Sequence, residues 1–200
     1  MNHPLQCQCG TLKGYVTLPG SVNRAVCYCR DCQAFAHFLG RANEILDSKG
    51  GSDVVQTSPA HVTLTEGVEM LACMRLTENG LVRWYARCCN TPIGNTLANY
   101  KVSFVGLIHS CLDNGGKSLE DSFGPVRMWV NTKAAKGEVR SSALAATGGI
   151  MRILWMLLRA RLNGSYKRTA FFSSQSGAPV ATPKVLSREE RDRLMQAVAG

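Results

Sequence analysis

Residues 61–88, HVTLTEGVEMLACMRLTENGLVRWYARC, decide the fold class. Apolar and β-branched residues recur here with a period of two, the spacing of a strand with one buried face. The Glu78-Asn79-Gly80 step marks a hairpin turn. Within LVRWYARC, Val82, Trp84 and Ala86 fall on one face, and Arg83, Tyr85 and Arg87 on the other. KGYVTLPG (13–20) and YKVSFVGLIHSCL (100–112) have the same character. Residues 1 to about 110 are therefore expected to be strands and turns of a mainly β, antiparallel sheet.

Beyond DNGGKS (113–118) the texture changes, which divides the chain into 1–115 and 116–200. SSALAATGGIMRILWMLLRARLNG (141–164) reads as a helix near 142–163, stopped by Asn163 and Gly164. Arg152 interrupts its apolar run, and a membrane span needs about 20 residues, so no transmembrane segment is expected. Packing against the sheet is the expected use, with a surface-lying amphipathic helix as the alternative. SSQSGAPVATP (173–183) reads as a linker, and Ser187 with Glu190 forms a capping-box pattern for a terminal helix near 187–198. Charge follows the same division. Residues 1–100 hold 8 Lys/Arg against 7 Asp/Glu, and residues 101–200 hold 15 against 7. The basic extension is either a solvated face or a surface for an anionic partner.

The 200 residues include nine cysteines, an odd number that no complete disulfide framework explains. MNHPLQCQCG has no basic stretch leading into an apolar run, so no secretory leader is read and a cytoplasmic setting is expected, where thiols stay reduced. Clustered thiols there point to metal, with zinc the leading ion. The groups are CQCG (Cys7, Cys9), CYCRDC (Cys27, Cys29, Cys32) and CCNTP (Cys88, Cys89). Cysteines two apart on extended chain point the same way, so a pair can reach one ion. The neighbours Cys88 and Cys89 face opposite ways unless the backbone turns there, as Asn90, Thr91 and Pro92 allow. Two sites follow: Cys7, Cys9, Cys88 and Cys89 in a closed one, with Cys88 the least secured, and Cys27, Cys29 and Cys32 in one with an open position. Cys73 and Cys111 read as core thiols, and His37 as structural.

Taken together, CQCG, CYCRDCQ and CCNTPIGN resemble, in order and spacing, the glutathione-dependent formaldehyde-activating enzyme family, which includes centromere protein V. The resemblance covers about residues 5 to 110. It implies a zinc-containing β-tent fold and two zinc ions, one structural on the first and last groups, one on Cys27, Cys29 and Cys32. The implied activity is a carbon–sulfur lyase or transferase step on a glutathione–formaldehyde adduct. Arg30, beside the second site, is then a candidate anchor for the carboxylates of glutathione. Where the family has CxxCGTP, this chain has Cys89 on the second cysteine and Ala86 on the first. The alternative is a non-catalytic zinc-stabilised scaffold that binds through the basic extension.

Overall fold

The elements are β1 (Asn2–Gln6), β2 (Lys13–Thr17), β3 (Asn23–Cys27), α1 (Arg30–Phe38), α2 (Ala42–Ile45), β4 (Ser52–Thr57), β5 (Val62–Glu66), β6 (Leu71–Arg75), β7 (Val82–Ala86) and β8 (Thr91–Thr96). They continue with β9 (Val105–Ile108), α3 (Leu119–Phe123), β10 (Met128–Val130), α4 (Ala143–Leu162), β11 (Lys184–Val185) and α5 (Arg188–Ala199). This computed structural model describes residues 2–17, 22–112, 118–139 and 141–199. The turn signal at Pro19-Gly20 and most of the DNGGKS step lie outside the described residues.

The strands form a three-stranded sheet, β1-β2-β5, and an eight-stranded sheet, β10-β3-β4-β9-β8-β7-β6-β11. The protein is therefore mainly β with a helical C-terminal part. Its large sheet is antiparallel from β3 to β6 but gains parallel strands at both edges, where β10 pairs with β3 and β11 with β6. A mainly antiparallel sheet was expected, and the parallel pairs are confined to its two edges. The edge strands come from residues far along the chain, and local alternation does not reveal their direction.

Alternation places Val82, Trp84 and Ala86 in one core, shared with Leu5, Leu12 and Val16 of the β1–β2 arm. The opposite face is also covered. Met74 and Tyr85 there meet Phe35 and Ala36 of α1 and Val198 of α5. The extension contributes directly to the first core: Phe171 and Phe172 pack on Trp84 at ring-centroid distances of 5.2 and 5.9 Å.

Helix α1 corrects the expectation of strands and turns alone in the first 110 residues. Cys32, Phe35, Ala36 and Leu39 are spaced for one helical face, and all are buried. Cys29 is the N-cap, its Sγ accepting the Cys32 N–H, and Gly40 at φ 69° ends the helix in the left-handed region.

Helix α4 packs against the sheet at β10, β3 and β4, as expected, but through a narrow contact that leaves most of its surface uncovered. It is long and apolar enough to cross a membrane, with a mean hydropathy of 1.3, yet only 11% of that window is buried. Only Gly149 and Ala160 are buried on it. Gly149 is required at the contact, since a Cβ there would lie 2.2 Å from the Met128 sulfur. At the C-terminus Ser187 and Glu190 cap α5 reciprocally, with N–H donors at 2.9 and 3.2 Å.

Candidate metal centres

The first group of thiols gathers where the two sheets meet. Cys7 follows β1, in a turn closed by the Gly10 N–H on the Cys7 carbonyl at 2.9 Å. Cys88 and Cys89 sit in the turn between β7 and β8. Asn90 there takes a φ of 54°, a left-handed conformation that asparagine tolerates. That reversal is why adjacent cysteines, which would diverge on a strand, both turn toward Cys7 and Cys9. The Sγ atoms lie 3.5 Å apart for Cys7–Cys9, 3.8 Å for Cys7–Cys88, 3.4 Å for Cys9–Cys88 and 3.8 Å for Cys88–Cys89. The four are close enough to hold one metal ion.

Donors surround these sulfurs. The Leu12 N–H reaches Cys7 Sγ at 3.2 Å. The Thr11 hydroxyl lies 3.3 Å from Cys9 Sγ and the Thr91 hydroxyl 3.1 Å from Cys89 Sγ. Thr91 Oγ1 accepts the Gln8 N–H at 3.0 Å, which leaves its own proton for the sulfur. Each arm thus repeats one device, a cysteine followed two residues later by a threonine.

The second group lies at the junction of β3 and α1. Cys27 ends the strand, Cys29 caps the helix and Cys32 stands in its first turn, 3.8 Å from Cys27. The three thiols also converge closely enough for one ion, and among the described residues no fourth cysteine, histidine or carboxylate joins them. Strand β10 pairs Val130 with Cys27 and so brings Asn131 up to it; the Asn131 Nδ2 donates to Cys27 Sγ at 3.4 Å.

Arg83 is the other neighbour. Its side chain is 2% exposed, with Nη1 3.8 Å from Cys32 Sγ and 3.1 Å from Asn95 Oδ1, and Nη2 3.9 Å from the Asp31 carboxylate. The guanidinium also stands 5.5 Å from the centre of the Phe35 ring. A buried cation is costly unless it meets negative charge. Three thiolates around a divalent ion carry a net negative charge, which Arg83 is placed to offset. Arg83→Met should therefore weaken metal at this site by 10–100-fold and leave the four-cysteine site unchanged, with Arg83→Lys intermediate. Competition with a chromophoric chelator measures both sites.

Without a cation, neither cluster can ionise fully. Hydrogen bonds from Cys29 and Cys32 hold the Cys27 thiol down at about 2. The same bonds, together with burial, raise Cys29 and Cys32, although the Arg83 charge pulls Cys32 the other way. In the first group the Thr11 hydrogen bond lowers Cys9 to about 6, while burial raises Cys7 and takes Cys88 to about 12. Burial works against the Cys89 thiolate, but the Thr91 hydroxyl and backbone N–H groups lower Cys89 too, so the first group divides into two lowered and two raised thiols. In the second group one thiolate collects its neighbours' protons, and a second negative charge alongside it is disfavoured. A bound cation inverts that preference.

All nine cysteines are free thiols. Cys73 and Cys111 are buried apart from both groups, where burial raises their thiols, Cys73 to about 11. His37 stands near the end of α1 and belongs to neither group. Arg30 is exposed in the first turn of α1, next to Cys29. Sequence reasoning missed Arg83 and Asn131. The alternation in β7 placed Arg83 opposite Trp84 but could not show a helix covering that face. Nothing local in the sequence marks Asn131.

No curated protein sequence matches the chain. A solved structure, the crystal structure of a Rhodobacter sphaeroides protein from a structural-genomics programme, is similar to 64% of this chain over 99% of its own length, with a TM-score of 0.43 and 18% identity. The model of a family of unknown function (DUF6151) matches residues 1–183, a stretch that holds both cysteine groups, Asn131, α4 and the Phe171–Phe172 pair; the chain belongs to that family.

Proposed function

We propose that the chain is a zinc protein of β-tent type that acts as a carbon–sulfur lyase or transferase on an adduct of glutathione with formaldehyde. The observation that carries this reading is the contrast between the two thiol groups, one with four convergent sulfurs and one with three. The donor set suits zinc. Thiolates at about 2.3 Å around a tetrahedral zinc lie about 3.8 Å from one another; four of the six separations in the first group are 3.4 to 3.8 Å, and all lie within 4.8 Å. Cys7, Cys9, Cys88 and Cys89 would hold a closed structural ion. Cys27, Cys29 and Cys32 would hold a second with room for an exchangeable ligand.

When bound at such an open position, zinc lowers the pKa of a coordinated thiol and supplies a thiolate at neutral pH. The protein's own residues do the rest. Arg83 offsets the negative charge of the thiolates, Asn131 steadies Cys27, and Arg30 stands where it can hold a glutathione carboxylate. In the forward direction the glutathione sulfur bonds to the formaldehyde carbon, and the proton leaving the thiol ends on the former carbonyl oxygen. The lyase direction breaks the same carbon–sulfur bond. A second reading, a metal-stabilised scaffold without catalysis, is favoured by the basic composition of residues 101–200.

Metal content per chain tests the reading. Wild type should carry two zinc ions and Cys29→Ser one. Serine is itself an effective N-cap, so α1 should be retained in the variant. Glutathione should bind wild type saturably and lose that binding in Cys29→Ser. A stoichiometry unchanged by Cys29→Ser would remove the mechanism and leave the scaffold.

A further inference from the structure

Helix α4 carries a face that the rest of the chain leaves uncovered. Leu144, Met151, Trp155, Leu158 and Leu162 line one stripe at heptad-like spacing and are between 50% and 84% exposed. Contiguous exposed apolar surface of this kind marks an interaction site. Beside the stripe is a cavity of about 300 Å³, lined by Ser58, His61, Arg152, Arg159 and Arg168, with Trp155 shared between cavity and stripe. Among the described residues none of those three arginines takes part in an ion pair. The surrounding sequence is biased the same way: residues 139–187 contain seven Lys/Arg and no Asp or Glu.

A cationic cavity continuous with an apolar helix face matches one chemistry, a phosphate attached to a hydrocarbon chain. We propose that α4 is a membrane-docking element that lies in the plane of an anionic phospholipid bilayer, with its outer stripe among the acyl chains and a headgroup phosphate in the Arg152–Arg159–Arg168 cavity. Arginine forks suit phosphate, and Trp at a bilayer interface suits its half-apolar ring. The helix is long enough to cross a bilayer, but Gly149 is held against Met128 and Ala160 is buried farther along. Two anchors on one side keep the axis along the protein surface, which leaves only the outer face for lipid. A second copy would set Arg152, Arg159 and Arg161 against their own like charges. A nucleic acid would satisfy the arginines and leave the stripe in water. The proposal is independent of the zinc chemistry above.

Vesicle flotation of the full chain tests it. Wild type should float with vesicles of mixed phosphatidylcholine and phosphatidylglycerol, weakly with phosphatidylcholine alone, and less as salt is raised. Trp155→Glu should abolish flotation, and Leu162→Glu at the helix end should weaken it. Arg159→Gln and Arg168→Gln should each lower partitioning about five-fold. All four positions are on the surface, so unchanged metal content and far-UV circular dichroism verify the fold. Absence of flotation, or equal flotation with both vesicles, overturns the proposal. So does stabilisation by inorganic phosphate without vesicle binding, which would make the cavity a free-anion site. Binding of a DNA duplex in place of vesicles, or self-association that Trp155→Glu abolishes, also overturns it.

Discussion

Cys88→Ser should release one metal ion per chain and lower the melting temperature by roughly 10–20 °C. Cys29→Ser should release one ion as well, at less than half that thermal cost. The difference follows from what an ion at each group would tie together. The four-cysteine group joins positions 81 residues apart, from the β1–β2 arm to the β7–β8 turn. The second group closes only five residues between Cys27 and Cys32. By loop-closure entropy a link across 81 residues is worth about 4–5 kcal/mol and one across five about 2. Each kcal/mol moves the midpoint by about 2–4 °C in a protein of this size. Metal analysis and thermal denaturation of the same preparations check both variants. Equal shifts would mean that the first ion does not hold the two sheets together.

Trp84→Ala should cost about 3–5 kcal/mol, the usual loss for deleting a buried aromatic ring. Trp84 is fully buried, its indole N–H donates to Thr96 Oγ1 at 2.9 Å, and both Phe171 and Phe172 rest on the ring. The substitution opens a cavity between the sheet and the C-terminal segment and leaves the Thr96 hydroxyl without its donor. Scanning calorimetry should show one transition that shifts as a whole. Two transitions, of which only one moves, would mean that the halves unfold independently and that the Phe171–Phe172 contact carries little energy.

The cysteines were the most legible part of the sequence, because ligand spacing is local. Cys7 with Cys9 and Cys27 with Cys29 and Cys32 can be paired from their separations alone. The Cys88–Cys89 step stayed ambiguous because its answer depends on the backbone reversal at Asn90, a conformation the sequence permits but does not require. Helix α1 was hidden beneath the cysteine pattern. Its apolar spacing, Cys32-Phe35-Ala36-Leu39, is in view, but Cys32 reads as a ligand brought round to Cys27 and Cys29 by a tight turn, which masks the start of a helix there. Arg83 was lost for another reason. Strand alternation separates two faces without saying what covers each, and the cover over Arg83 comes from Phe35 and, farther out, α5. Helix α4 misled by composition in its extent of burial: an apolar helix is ordinarily covered on most sides, and among the described residues no segment covers the outer face of this one.

The contact between Asn131 and Cys27 spans 104 residues, and it bears on the order of events at the ribosome. Cys27, Cys29 and Cys32 emerge together, whereas β10 and Asn131 follow after another hundred or so residues, roughly 5–20 s at ordinary elongation speeds. During that interval the three thiols are present without the segment that later packs beside them. The nascent chain therefore has a period in which an ion can reach the second site before β10 is added at the sheet edge. On the reading that the cluster takes an ion, chains translated without metal at hand would close their sheet beside an unloaded cluster.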